Sequence, residues 1–181
     1  IFELALHAVK FGEHHLGARA ERTMIDVRDF RSSDQWAFRL AGSLGIKALL
    51  SGGTTCAADS YFFPESTARA FLEVGIRSQI TAPIMHFSNN WAGSEQNHID
   101  KTRAFINWCD HRELITAGFA PHAPYSVSNS GFLQILDAAA ATNAPIHLHL
   151  HESAGEIQDH LNNHGCRPLA RINELGLLSP H

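Results

Sequence analysis

Ile146-His147-Leu148-His149-Leu150-His151-Glu152 alternates apolar and imidazole side chains with a period of two. On a strand, residues 147, 149 and 151 share one face and Leu148 and Leu150 the other. A strand inside a helix-covered parallel sheet is buried on both faces and normally reads as a continuous apolar run. Three imidazoles on one such face are costly unless a metal or hydrogen-bonded carboxylates satisfy them. Glu152 follows where the strand should end, at the carboxyl edge where parallel α/β folds place their sites. A carboxylate beside a metal-bound water is a natural general base and then general acid. The alternative is a hydrogen-bonded polar core with an exposed glutamate.

Working outward, helical and strand-like segments alternate from about residue 33. Ser33 and Asp34 suit the cap of a helix with Trp36, Leu40, Leu44 and Ala48 on one side, ended by Gly52-Gly53. Thr54–Asp59 reads as a short strand. Pro64 opens the next helix, with Ala68, Phe71 and Leu72 together and Gly75 as its stop. Ile76–Ala82 is the second strand, and a polar loop, Ser88 to Gly93, leads into a helix from about Gln96 to Arg112. Leu114–Ala120 is the third strand. Ser128 begins a helix carrying Phe132, Ile135, Leu136 and Ala139, and Pro145–Leu150 is the fourth strand. Ala154–His164 and Pro168–Leu175 close the series as helices. Such alternation implies βαβ units and a parallel sheet, open or closed into a barrel. Residues 1–32 show no clear period and stay unassigned.

Composition narrows the function. The chain has 181 residues, 14 Lys+Arg against 18 Asp+Glu, and a net charge of −4 with no basic stripe, which argues against nucleic acid as a partner. No apolar run approaches the roughly 20 residues of a membrane span, and no signal-peptide pattern opens the chain. Three scattered cysteines form no C-x-x-C, so a reducing cytoplasm is the expected location. The 13 histidines are the outstanding feature.

A second cluster is Ala120-Pro121-His122-Ala123-Pro124-Tyr125-Ser126-Val127-Ser128, again at a carboxyl edge. Two prolines stiffen the backbone around His122, as suits a residue that meets a ligand; an ordinary βα loop capped at Ser128 reads equally well. Other candidates are set aside. His160 and His164 have a metal-compatible i, i+4 spacing, but Glu156 one turn earlier suggests a solvated polar face. His111-Arg112-Glu113 matches the H-x-E of zinc nucleobase deaminases, yet no P-C-x-x-C follows. H-E-x-x-H, G-x-G-x-x-G and a Walker lysine loop are absent. His7, His14 and His15 have no interpretable context.

The stretch Ser51-Gly52-Gly53-Thr54-Thr55-Cys56-Ala57-Ala58-Asp59-Ser60-Tyr61-Phe62-Phe63-Pro64-Glu65 resembles the second-strand signature of the amidohydrolase superfamily. The similar branch is that of the 5-methylthioadenosine/S-adenosylhomocysteine deaminases and triazine hydrolases. Gly75-Ile76-Arg77, the Trp91 loop, Ala120–Ser128, His147–Glu152 and Gly165-Cys166-Arg167-Pro168-Leu169-Ala170-Arg171 follow in the family's order. The resemblance covers about residues 33–181. It implies a partial (β/α)8 barrel of the metal-dependent hydrolase type, holding strands two to five. It further implies His149 as a metal ligand and Glu152 as the proton-shuttling catalytic residue. His122 and, in a loop bordering the pocket, Trp91 become substrate-binding. The implied cofactor is Zn2+ or Fe2+, and the implied reaction is hydrolytic deamination of a purine nucleoside or other N-heterocycle.

The departures matter as much. The family's H-x-H on the first strand has no counterpart before Gly53, and the adjacent His14-His15 would point to opposite faces of a strand. The family's sixth-strand histidine and eighth-strand aspartate lie past Ser179-Pro180-His181, and His181 falls about five residues too early for the former. The expectation is therefore about half a barrel, with open strand edges. It is a truncated copy, a piece of a longer chain, or a unit completed by a partner such as a second copy of itself. By itself it is expected to be an inert fragment or binding module, because one histidine makes a weak metal site.

Overall fold

A computed structural model of the chain describes residues 45–178. The unassigned segment 1–32, the Ser33/Asp34 cap with Trp36, Leu40 and Leu44, and His181 lie outside the described residues. Helix α1 is described over 45–51, and Gly53 leaves it with φ 80°. Within it Ile46 and Leu49 pack into the core while Ala48 is exposed, so the step-of-four face ending at Ala48 is not the buried one. The order then runs β1 (Cys56–Ser60), α2 (Pro64–Val74), β2 (Arg77–Ile84), α3 (Glu95–Cys109), β3 (Ile115–Pro121), α4 (Asn129–Thr142), α5 (Ala154–His164) and α6 (Pro168–Glu174).

Local chemistry sets these boundaries. Pro64, whose missing N–H costs nothing in a first turn, opens α2, and Gly75 closes it in the left-handed conformation at φ 76°. Serines cap the next three helices: Ser94 accepts from the Asn97 amide, Ser128 from Gly131 and Ser153 from Glu156. Helix α3 stops at Cys109 rather than Arg112, because Asp110 turns out of the helix and His111 takes φ 66°. Glu95, in the first turn of α3, reaches the N-terminus of α4 and accepts from the Ser128 amide (2.8 Å) and hydroxyl (2.5 Å). A carboxylate there also complements the positive end of the α4 dipole.

The three strands form one parallel sheet in the order β1-β2-β3. Its outward side packs on the helices: Ala57, Ile80 and Ile115 with α2 and α3, and Ile84 and Phe119 with α4. Its other side carries Cys56, Ala58, Arg77 and Thr116, all exposed, facing what in a closed barrel is the axis.

The fourth strand is a partial exception to the sequence reading. Residues 145–149 lie parallel beside β3, with Phe119 N–H donating to Pro145 O and His147 N–H to Phe119 O, both 2.9 Å. A continuing parallel ladder would next take a donor from residue 121. Pro121 has none, and only the isolated bridge Phe119–Ile146 remains. The next bond slips by one residue: His149 N–H donates to His122 O at 2.9 Å. Leu148 and Leu150 still pack with Phe119, Phe132 and Ile135, as the alternation requires.

Gly118 allows this close approach. A Cβ there would stand 2.5 Å from Pro145 O and 3.0 Å from its ring. Both neighbours are stiff, so Gly118→Ala is expected to destabilise the fold by about 3 kcal/mol, read as a lowered urea midpoint with an unchanged m-value.

Candidate active site

The parallel register that pairs Phe119 with Ile146 sets His122 beside His149, and the slip at Pro121 leaves them together. His122 is tied by its own N–H to Ile84 O (3.1 Å) and by its carbonyl to His149 N–H. The two imidazoles then meet edge to face, centroids 5.3 Å apart. His147, two residues back on the same face, lies 6.2 Å from His149. His149 is exposed, and His122 and His147 are half-buried. Burial, and then the neighbouring His149, hold both His122 and His147 below the ordinary imidazole value.

The His122 ring is oriented by Ser126, which is buried. Ser126 Oγ lies 3.0 Å from His122 Nδ1, accepts from the Ala123 amide (3.1 Å) and donates to Ala123 O (3.2 Å). Ser126 thus engages Nδ1, and Nε2 has no hydrogen-bond partner among the described residues. Arg171 fixes the same loop from α6, donating to Pro124 O (2.9 Å) and to Asn129 Oδ1. Sequence reasoning gave Arg171 no role, because a contact across 47 residues has no local signal.

His151 does not join the other two imidazoles. Its backbone turns left-handed, φ 56°, and its Nε2 accepts from the Leu169 amide at the start of α6. Glu152 follows with an exposed side chain. A cavity of about 340 Å³ lies over it, lined by Tyr125, Glu152, Glu156, Asp159, His160 and His164. Burial and the carboxylates of Glu152 and Glu156 push the Tyr125 hydroxyl above its usual range. The expected solvated face on α5 is not found: Glu156 and His160 are both buried, and only His164 of the three is exposed. Glu156 is drawn inward by the amides of residues 151 and 152.

Trp91 is only 4% exposed and packs with Ala82, Phe62 and Phe63. Its loop is held by Asn89, whose Oδ1 accepts from the amides of Trp91 and Ala92 and whose Nδ2 donates to His98 Nε2. His98, fully buried, directs Nδ1 to Ser94 O (2.8 Å), which makes it a neutral structural histidine.

Residues 14–180 match the amidohydrolase family. This chain belongs to that family. It is 42% identical over 137 residues to a 5-methylthioadenosine/S-adenosylhomocysteine deaminase of Saccharophagus degradans, covering 76% of this chain and 31% of the relative. A zinc-bound adenosine deaminase structure from Xanthomonas campestris superposes with a TM-score of 0.78 at 34% identity, over 80% of this chain and 33% of that one. The zinc complex of atrazine chlorohydrolase from Arthrobacter aurescens TC1 shares the fold, with a TM-score of 0.70 at 17% identity, over 78% and 36% of the two chains. The amidohydrolase chain thus spans about a third of the length of the curated relatives it matches, and its fold is a partial (β/α)8 barrel.

Among the described residues no group of three or more His, Cys, Asp or Glu side chains is arranged to hold a metal ion. His149 is a suitable donor, but residues 45–178 do not make a metal site by themselves. Also among the described residues, no helix is long and apolar enough to cross a membrane.

One half-buried acid at the carboxyl edge of β1 stands apart from the histidines. Asp59 has a buried Oδ2 with no hydrogen-bond partner among the described residues, and burial pushes its carboxyl up to about 6 against a hydrogen bond from Thr67. Its folded pKa lies above the unfolded value of 3.8, so the folded state binds the proton more tightly. Stability contributed by this proton is present below about pH 4 and is lost as pH rises through 6. The loss is on the order of 3 kcal/mol. Urea unfolding of the native chain and Asp59→Asn at pH 4, 5, 6 and 7 checks this: the variant should lack that part of the decline.

Proposed function

We propose that this chain is the second-to-fifth-strand portion of a metal-dependent aminohydrolase that deaminates a purine nucleoside or another small N-heterocycle. The observation that carries the reading is the meeting of His122 and His149 at the carboxyl edge, with Glu152 three residues beyond. The names of the similar proteins, deaminases of adenosine-type compounds, support the substrate class.

In this reading His149 donates one nitrogen to a divalent ion, zinc or iron, whose remaining ligands come from outside residues 45–178. Such an ion, when bound, supplies a water of lowered pKa. Glu152 takes one proton from the attacking water and passes it to a ring nitrogen as the C–O bond forms, then carries the second, from the new hydroxyl, to the amino group, which leaves as ammonia as the C–N bond breaks. Its exposed side chain, without a hydrogen bond among the described residues, suits a group that must reach two partners. His122, with Nδ1 engaged by Ser126, presents Nε2 to substrate. Trp91, buried against Phe62 and outside the lining of the cavity over Glu152, would act on substrate only through the loop it anchors. Residues 33–181 constitute one domain in this proposal. The free thiols of Cys56, Cys109 and Cys166 favour a reducing cytoplasm.

A second reading, favoured by the incomplete donor set among the described residues, is that the 181-residue chain alone is inert or serves only to bind. The test compares this polypeptide with the full coding sequence that contains it. Metal content and ammonia release from methylthioadenosine, S-adenosylhomocysteine and adenosine are measured for both. The longer protein should hold stoichiometric metal and turn over, and the short chain should do neither. In the longer protein Glu152→Gln should lower kcat roughly 10²–10⁴-fold with metal retained, whereas His149→Ala should lose metal. A full-length protein without metal or ammonia release would sink the first reading, and turnover by the short chain would sink the second.

A further inference from the structure

The peptide between His149 and Glu152 carries an unusual burden. It must leave the strand, pass through a left-handed non-glycine residue at His151 (φ 56°), and deliver Glu152 to the mouth of the cavity. A left-handed L-residue is disfavoured by roughly 1–2 kcal/mol, so the turn persists only if its surroundings hold it. The Glu152 side chain cannot do so, since it is exposed and makes no side-chain hydrogen bond among the described residues. The hold comes from Glu156. One carboxylate oxygen accepts the His151 amide at 3.2 Å and the other the Glu152 amide at 2.6 Å. Glu156 is itself set by the Ser153 cap, whose Oγ accepts its N–H at 3.0 Å.

Ser153-Ala154-Gly155-Glu156 is thus a capping-box sequence used in an altered way. An ordinary box returns the N3 glutamate to the amide of the N-cap residue. Here the glutamate reaches one and two residues further back and grips both amides of the turn. The His151 ring, accepting from Leu169, anchors the same turn to α6 from the other side.

We propose that Glu156 is a positioning residue for Glu152: its buried carboxylate clamps the 151–152 amides and so fixes where the proton-carrying side chain starts. The catalytic half of this inference rests on the deaminase reading above, and the clamp itself does not. Glu156→Gln is the discriminating change. It nearly preserves size, but turns an NH2 group toward one of the two amide donors, so one bond must be lost.

The experiment uses the full-length protein. Amide hydrogen exchange on the native protein comes first: the His151 and Glu152 amides should exchange slowly, although they lie in a turn outside any helix or strand. In Glu156→Gln both should exchange much faster. Exchange at open-loop rates in the native protein overturns the clamp, whether or not the protein is an enzyme. Kinetics follow. Glu156→Gln should lower kcat about 10–100-fold, the scale of an ångström-sized misplacement, with KM and metal content little changed. Built on Glu152→Gln, the same substitution should cost almost nothing further, because a residue that acts through Glu152 has nothing left to position. Equal losses in both backgrounds mean a general structural role and reject the proposal, as does an unchanged kcat in the single variant. If the native protein releases no ammonia, the deaminase reading fails, while the exchange result still stands or falls separately.

Discussion

The parallel register that sets Phe119 opposite Ile146 is the constraint from which the geometry of the site follows. A parallel ladder hands its hydrogen bonds alternately from strand to strand, and residue 121 is where β3 should donate. Because it cannot, the fourth segment keeps only the links around Phe119 and then advances by one, so that His149 bonds to His122 O. The same register sets residue 122 opposite residue 149 on one face, and the two imidazoles meet there at 5.3 Å. The break at Pro121 moves the His149 amide from residue 121 to residue 122 and leaves both rings on that face. The proline therefore gives up regular sheet structure where the chain gathers its polar side chains. Gly118, three residues earlier, makes the required closeness possible.

Much of this was legible in the sequence because it depends on neighbours along the chain. Pro64 and Gly75 bracket α2, and Ser128 begins α4, as capping chemistry requires. The alternation at 146–150 correctly separates leucines that pack on helices from His147 and His149 on the other face. The family was legible too, from several motifs in order. What failed depended on the third dimension. His151 has the right spacing for the histidine face, but a left-handed backbone removes it. Glu156 and His160 look like a solvated stripe because helical spacing cannot reveal that the amides of the preceding turn need an acceptor. The S-x-x-E pattern at 153–156 was the available signal. The break at Pro121 was visible in principle, since the ladder donor it lacks can be counted from sequence once the strand pairing is assumed.

The abundance of histidine separates into two chemical uses. His98 and His151 bond to backbone groups and their rings serve the fold, whereas His160, within α5, lines the cavity with a buried Nε2 that has no hydrogen-bond partner among the described residues. His98 bridges Ser94 and Asn89 to set the Trp91 loop, and His151 accepts from the first turn of α6. His160 sits buried beside His164, and burial keeps it below the ordinary imidazole value. His122, His147 and His149 form the other group. They share one edge, touch one another's rings, and of the three only His122 has a side-chain hydrogen bond among the described residues, through Nδ1. What sets His122, His147 and His149 apart is a shared face at one strand edge, with their rings in mutual contact. That distinction, rather than the number of histidines, singles out this edge.

The backbone around the site is fixed more tightly than the side chains it carries. Among the described residues His122 is held through its amide, its carbonyl and Nδ1, while Glu152 is held at its amide alone. A group that receives or orients a fixed substrate gains from a locked ring, because each lost degree of freedom is settled before binding. A group that carries a proton from an attacking water to a leaving nitrogen must visit two positions, and a locked carboxylate would serve one at the expense of the other. A fixed starting point with free side-chain torsions satisfies both needs. The amide clamp supplies the first and exposure of Glu152 the second, so rigidity stops at the Cα where the proposed chemistry requires motion to begin.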